Sequence, residues 1–329
     1  MAQIKDVARR AGVSVASVSR VLTGHPSVSE TTRQRVMTAV EALDYRPDLT
    51  ARRLRSRRTD TVGLVVSDIR NPFFTEISRA VEDMAYQRRM RVILCNADEN
   101  EEKEALYLDL MRDENVSGVI LSPTLATLNR FRSRDYPFPV VLIDRCERDT
   151  AADAVVLDNL DSAYRLIAHL IERGHRRIVF LYGATSATGR QRHEGYVTAM
   201  ATHGLETRAK AVPAMVDAAR KAALDVLDRR PLPDAVVASS GLILLGLTEA
   251  LREARLAVPQ QIALAGFDNL PWTRLVEPGI TVIAQPVYDL GQAAIDLLLQ
   301  RIAHPLQSVR RVVLRGELIE RGSSAGRSG

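Results

Sequence analysis

Residues 4–24 read IKDVARRAGVSVASVSRVLTG, and this stretch decides how the chain opens. Ile4, Val7, Ala8 and Ala11 recur at steps of three and four, the apolar stripe of a short helix. Gly12 suits the left-handed residue that ends such a helix. Val13 plugs the turn, and the Ser14 hydroxyl stands where it can cap a second helix. That helix, from about Val15 to Leu22, turns Val18, Val21 and Leu22 inward and leaves Val15, Ala16, Ser19 and Arg20 outside. A third helix begins near Ser29, with Glu30 placed to complement its dipole, and buries Val36, Ala39, Val40 and Leu43. Helix, glycine turn, capping serine and helix make the helix-turn-helix pattern.

Charge points the same way. Residues 1–60 carry 12 Lys and Arg against 6 Asp and Glu, whereas the remainder carries 33 against 34. A basic head on a neutral body implies a polyanion-binding module attached to a domain with other work. In this pattern the second helix enters the major groove of double-stranded DNA. Ser14 and the free N–H groups beside it can hold a phosphate, and Arg20 can reach a guanine or a phosphate. Val15 and Ala16 have no side-chain polar atoms, so they read thymine methyls or shape.

The run from Ile4, continued by VSETTRQRVMTAVEALDYRPDLTARRLRSRRT at residues 28–59, resembles the head of the lac-repressor and purine-repressor (LacI/GalR) regulators. The match is ungapped from Ile4 to Thr59 and continues at lower density to about Arg321. The resemblance implies a hinge helix after Pro47 that orders on the operator. There Leu54 would be the minor-groove wedge that kinks the duplex, and Arg55 a basic side chain entering the groove. Arg52, Arg53, Arg57 and Arg58 can neutralise phosphates, which implies steep salt dependence.

From Thr61 onward, short apolar runs such as TVGLVVS (61–67), RVILCN (91–96), PVVLID (139–144), RRIVFLYG (176–183) and QIALAGFDN (261–269) alternate with amphipathic helical stretches. Two successive βαβ series imply two doubly wound subdomains, with a ligand cleft at the carboxyl ends of the strands. The expected fold is a small all-α helix-turn-helix head followed by an α/β periplasmic-binding-protein-like body. The expected divisions are 1–46 for the head and 47–60 for the hinge and linker. The effector-binding and dimerisation domain would be 61–321, with halves at about 61–158 plus 287–312 and 159–286 plus 313–321. A small, polar tail, 322–329, is expected to be disordered.

Polar residues close several strands: Asp68, Asp144, Arg145, Ser239, Ser240, Asp268 and Gln285. The family resemblance carries effector contact to Phe73, Asp144, Arg192, Asp268 and Gln285. Where the family usually has Asn-Asp, this chain has Ser240-Gly241. Arg145, Arg190 and Arg192 could converge on one anion, because a guanidinium suits bidentate carboxylate or phosphate contacts. The expected effector is carbohydrate-like, a sugar, sugar acid or sugar phosphate, with the acid or phosphate preferred because the missing Asn removes a usual partner of neutral-sugar hydroxyls.

The remaining composition excludes other classes. The two cysteines, Cys95 and Cys146, have no metal spacing and are too few for a disulfide framework, which fits a cytoplasmic protein. No secretory signal and no apolar run of membrane length is present. Nucleophile-elbow, phosphate-loop and metalloprotease motifs are absent, so neither an enzyme nor a cofactor is expected. In relatives the second helix of the body belongs to the dimer face, and a two-fold dimer matches a palindromic operator.

Overall fold

The computed structural model describes residues 2–22, 25, 27–45, 59–147 and 149–326. The expectations for Arg52, Leu54 and Arg55 fall outside them. The chain divides into two compact units, 1–59 and 60–329, each considered by itself.

The head consists of α1 (Ile4–Ala11), α2 (Val15–Leu22) and α3 (Glu30–Ala42). Its core is small: Val7, Ala8, Ala11, Val18, Val21, Val36 and Ala39 are buried, with Leu22, Val40 and Leu43 half-buried around them. Gly12 ends α1 at φ +64°. A Cβ there would lie 2.6 Å from the Arg35 guanidinium. Arg35, from α3, donates to the carbonyls of Ala11 (2.6 Å) and Gly12 (3.3 Å). It therefore satisfies acceptors that a helix end leaves open.

The body holds two six-stranded sheets. The first contains β1 (Thr61–Val66), β2 (Arg91–Asn96), β3 (Gly118–Leu121), β4 (Val140–Ile143) and β5 (Asp153–Leu157). The second contains β6 (Ile178–Tyr182), β7 (Arg208–Ala211), β8 (Ala235–Ala238), β9 (Ala263–Phe267) and β10 (Thr281–Ala284). Late in the chain β11 (Arg311–Leu314) joins the first sheet parallel to β5, and β12 (Glu317–Ile319) joins the second antiparallel to β10. The orders β11-β5-β4-β3-β1-β2 and β12-β10-β9-β8-β6-β7 repeat one another. β1, β3, β4, β5 and β8 are buried along their whole length, which explains their unbroken apolar runs: helices cover a parallel sheet on both faces.

Those helices are α4 (Pro72–Gln87), α5 (Glu101–Asp113) and α6 (Leu125–Arg130) in the first half, then α7 (Asn159–Glu172), α8 (Ala187–Thr202), α9 (Val216–Leu227) and α10 (Gly241–Glu253) in the second. The last, α11 (Val287–Ala303), returns to the first half, where Leu290, Ala294, Ile295 and Leu298 share a core with Ile77 and Val81 of α4. The chain thus crosses between halves after β5, after β10 and after β11.

Two boundaries differ from expectation. Val313 and Leu314 pair with Val156 and Leu157 in the first sheet, so the last crossing comes after Leu314 rather than at residue 312. The tail does not begin as a disordered segment. Gly322–Ser324 form a 3-10 turn with Ser323 and Ser324 buried. Ser323 Oγ accepts from the Thr281 N–H at 2.9 Å and donates to the Leu264 carbonyl. Ser324 Oγ lies 2.8 Å from His169 Nε2 and 2.7 Å from Thr281 Oγ1. A small polar composition concealed these contacts because the serines' partners, Thr281, Leu264 and His169, lie far away in the sequence.

Candidate functional sites: the head helix and the body cleft

In the head, Ser14 does cap α2: its Oγ accepts the Ser17 N–H at 3.0 Å. Ala16 and Arg20 are exposed on α2, and Ser19 is half-buried. Val15 departs from expectation, being half-buried against the head core instead of lying wholly outside. An exposed α2 face bearing a small apolar residue and a guanidinium fits groove entry by shape and charge.

In the body, the strand ends of both halves converge on a cavity of about 240 Å³. Asp68, Phe73, Asp144, Arg145, Arg192, Ser240, Asp268 and Gln285 line it together. Arg190 is not among the lining residues. Its guanidinium pairs with Glu147 at 2.9 Å, both groups being about two-fifths exposed. The expected convergence of three arginines on one anion is therefore corrected.

Arg192 is the most enclosed of the three. It is buried, lies 4.1 Å over the Phe267 ring, and donates to Asn159 Oδ1 (2.7 Å), the Ser239 carbonyl (2.6 Å) and Gln285 Oε1 (3.2 Å). Burial lowers its proton affinity, while Asp268 and Asp144 oppose that. Gln285 also donates to Asp268 Oδ1 at 2.5 Å, and Asp268 Oδ2 accepts the Gly241 N–H at 2.7 Å, at the start of α10. Ser240 is the N-cap of α10. Gly241 leaves room for this contact, since a Cβ would sit 3.1 Å from Asp268 Oδ2.

On the opposite wall, Arg145 forms a two-point pair with Glu99 (2.5 and 2.8 Å) and meets Asp144 at 3.3 Å. Burial alone would make Arg145 easier to deprotonate, but Glu99 and Asp144 reverse that and raise its pKa. Burial pushes the Asp144 carboxyl up, with Arg145 and Arg192 pulling it back. Asp68 is held by Arg70 through two 2.9 Å bonds. Phe73 serves both roles considered for it, lining the cavity and packing in the first-half core against Phe74.

Sequence reading missed Arg70, Asn71, Glu99, Ser186 and Thr188 in the lining. Ser186 had a legible signal, since it caps α8 through the Gly189 N–H at 3.2 Å. Glu99 had none, because its role depends on a partner 46 residues away.

The lining thus carries the carboxylates Asp68, Asp98, Glu99, Asp144 and Asp268 against the guanidiniums Arg70, Arg145 and Arg192. The arginines are already engaged. What remains is a small, hydrogen-bonding, net-acidic chamber walled by Phe73, Phe74 and Leu242. Among the described residues no cluster of His, Cys, Asp or Glu could hold a metal ion, and no helix is long and apolar enough to cross a membrane.

Comparisons with known proteins cover both the head and the body. The model for the lacI family of bacterial regulatory proteins matches residues 3–48, and that for a periplasmic binding protein-like domain matches residues 167–324. The ribose operon repressor of Escherichia coli (strain K12) is 34% identical over 337 residues, covering 98% of this chain and all of that one. A solved transcriptional regulator, CelR in complex with cellobiose, superposes with a TM-score of 0.73 at 29% identity, covering 98% of this chain and 100% of the other. A lac repressor dimer bound to operator and an anti-inducer reaches a TM-score of 0.89 over 98% of this chain and 99% of its own, and at 23% identity it speaks for the fold. This chain belongs to the lacI family of bacterial regulatory proteins: it is a transcription regulator with a helix-turn-helix DNA-binding head and a periplasmic-binding-protein-like body.

Proposed function

We propose that the protein is a homodimeric, cytoplasmic repressor that binds a palindromic operator and is switched by a neutral, polyhydroxylated, carbohydrate-like effector in the body cleft. The observation carrying the effector class is the pairing of charge in the cavity. Arg70 and Arg145 are matched by carboxylates and Arg192 by three neutral oxygens. An anion would have to displace those partners in a chamber with more acidic than basic side chains. Hydroxyl groups can instead donate to Asp144 and Asp268 and accept from the Arg192 edge. This favours a neutral sugar over the acid or phosphate, and the ribose and cellobiose in the names of the relatives point the same way.

The dimer reading is supported by α5. Leu106 and Leu110, one helical turn apart, are 63% and 43% exposed. Two copies would place two α2 helices on two half-sites. Leu54 and Arg55, expected in the minor groove, and Arg52, expected on a phosphate, would join head to body on DNA. Effector binding then favours one arrangement of the halves, and linkage requires DNA to change effector affinity by the same factor.

Mobility shift on palindromic promoter fragments, with and without ribose and cellobiose, tests the DNA half of this reading. Calorimetry with those sugars beside gluconate and ribose 5-phosphate tests the effector class. Binding confined to the charged compounds would overturn it. Leu54→Ala is expected to weaken operator binding while leaving sugar affinity in place.

A further inference from the structure

Of three consecutive residues near the start of α8, two reach into the facing half and the third holds the crossings. Arg190 pairs with Glu147 at 2.9 Å, and Gln191 donates to the Cys146 carbonyl at 3.4 Å; both acceptors belong to the β4–β5 loop of the first half. Arg192 holds two of the crossings, through Asn159 just after β5 and Gln285 just after β10. Asn159 joins these contacts. It is buried, accepts from Arg192 Nε at 2.7 Å, and donates to Gln191 Oε1 at 3.0 Å. Asn159 does not line the effector cavity. With Gln191 and Cys146 it lines a second groove of about 490 Å³. A continuous polar chain, Arg192–Asn159–Gln191–Cys146, therefore runs from the cavity wall to the facing half.

α8 packs closely against its neighbour. A Cβ on Gly195 would lie 2.3 Å from the Leu160 carbonyl, so α8 sits directly on α7. With that packing, a movement of Arg192 would shift the α8 start relative to the β4–β5 loop.

We propose that Arg190 and Gln191 form a brace that sets the separation of the two halves, with Asn159 as the positioning residue that ties this brace to Arg192 in the cleft. Neither Arg190 nor Gln191 touches the cavity, so the brace governs closure without touching effector. Its link to an effector rests on the function proposed above. The brace itself can be tested with no effector at all.

Cys146 supplies the reporter. Its thiol is buried, 2.9 Å from the Arg311 guanidinium, in the groove that Gln191 and Glu194 line from the other half. The full-length, ligand-free protein is labelled with a thiol-reactive disulfide reagent, in Cys146→Ser and Cys95→Ser backgrounds to assign each rate. Reversing a half-exposed pair replaces a modest attraction with repulsion, so Arg190→Glu or Glu147→Arg should speed Cys146 labelling about fivefold. Cys95, buried in β2, should not change. Gln191→Ala should act in the same direction. The combined swap, Arg190→Glu with Glu147→Arg, should return the rate to within about twofold of the parent. An unchanged Cys146 rate, a fast rate that persists in the swap, or Cys95 rising in step would each overturn the brace. Failure of every sugar to bind would defeat the effector reading and leave these rates to decide the brace alone.

Discussion

Asp144 and Asp268 occupy the same place in the two halves of the body. Each follows the strand at the equivalent position of its sheet, β4 and β9, and each has a left-handed backbone, φ +68° and +75°. Each donates its N–H to a carbonyl of the neighbouring strand, Val155 at 3.0 Å and Ile283 at 2.9 Å. This conformation is uncommon outside glycine, although Asp and Asn tolerate it, and strain of this kind concentrates where a side chain must be aimed. Here it directs both carboxylates into the cavity. Their environments differ. Asp268 is stabilised by the Gly241 N–H and Gln285, whereas Asp144 meets the side of a guanidinium already committed to Glu99.

That difference sets the first expectation. Because burial raises the folded-state pKa of Asp144, its ionised form detracts from stability near neutral pH, and the penalty disappears as pH falls through the raised value. Asn has the same shape and accepts the left-handed backbone. Asp144→Asn should therefore raise the melting temperature at pH 7 by a few degrees, at roughly 2–4 °C per kcal/mol for a domain of this size. It should also weaken sugar binding about tenfold or more, through loss of a charged acceptor. Calorimetric melting and titration measure the two effects. A lower melting temperature would mean that Asp144 stabilises the empty cleft.

Arg192→Ala should be costly in both respects. It would strand the Asn159, Ser239 and Gln285 oxygens and empty the space above Phe267. Leaving such a buried group's partners unsatisfied costs on the order of 3 kcal/mol. Arg192→Lys keeps the charge but cannot reach three acceptors in one plane, so it should fold better than the alanine variant while still losing most sugar affinity. Equal affinity of the lysine variant and the parent would remove Arg192 from the site.

How legible these features were in the sequence follows from the range of the interactions. The three head helices could be read because their stripes, the Ser14 cap and the Gly12 stop are all contained within a few residues. The two sheets were legible because strands covered on both faces become plain apolar runs. Aspartates at strand ends announced the cleft for the same local reason. Pairings across long separations left no mark: Arg190 with Glu147, Arg145 with Glu99, and Arg35 with the end of α1. An arginine in a chain of letters is equally consistent with an anion site and with a carboxylate partner elsewhere. That ambiguity produced the mistaken three-arginine cluster. The buried Ser323-Ser324 turn was hidden because composition describes a tail's average solvation and not the groove that receives it.

The head gives a separate test. Gly12→Ala forces a side chain into the left-handed conformation, at about 1–2 kcal/mol, and pushes it toward the Arg35 guanidinium that closes α1. In a core of so few apolar residues this should unfold much of the head near physiological temperature. Operator binding should fall at least tenfold while sugar affinity in the body stays within about twofold. Parallel loss of both would show that the two units do not fold independently.

The carboxyl-terminal turn should make stability depend on pH. Burial lowers the pKa of His169, partly offset by Glu320, and the ring lies 2.8 Å from Ser324 Oγ. The folded state therefore favours neutral His169 more than the unfolded chain does. The associated stability is present above the unfolded value of about 6.5 and is lost as pH falls through the lowered folded value. Melting temperature should drop between pH 7 and 5, and His169→Gln should flatten this part of the profile. An unchanged slope in the variant would assign the acid sensitivity to other groups.

Assembly can be separated from DNA contact through α5. Leu106 and Leu110 expose one apolar face of α5 while Leu108 and Met111 of the same helix are buried. Arginine at the two exposed positions should therefore leave the fold intact but, on the proposed dimer face, place like charges opposite their own copies across a two-fold axis. The Leu106→Arg, Leu110→Arg variant should sediment at half the parent mass at micromolar concentration. Its operator affinity should drop by about a hundredfold, because joining two heads in one particle raises the effective concentration of the second. Sugar affinity should persist, since the cleft lies within a single chain. If the variant remained dimeric, α5 would not be the interface, and the exposed leucines would need another partner.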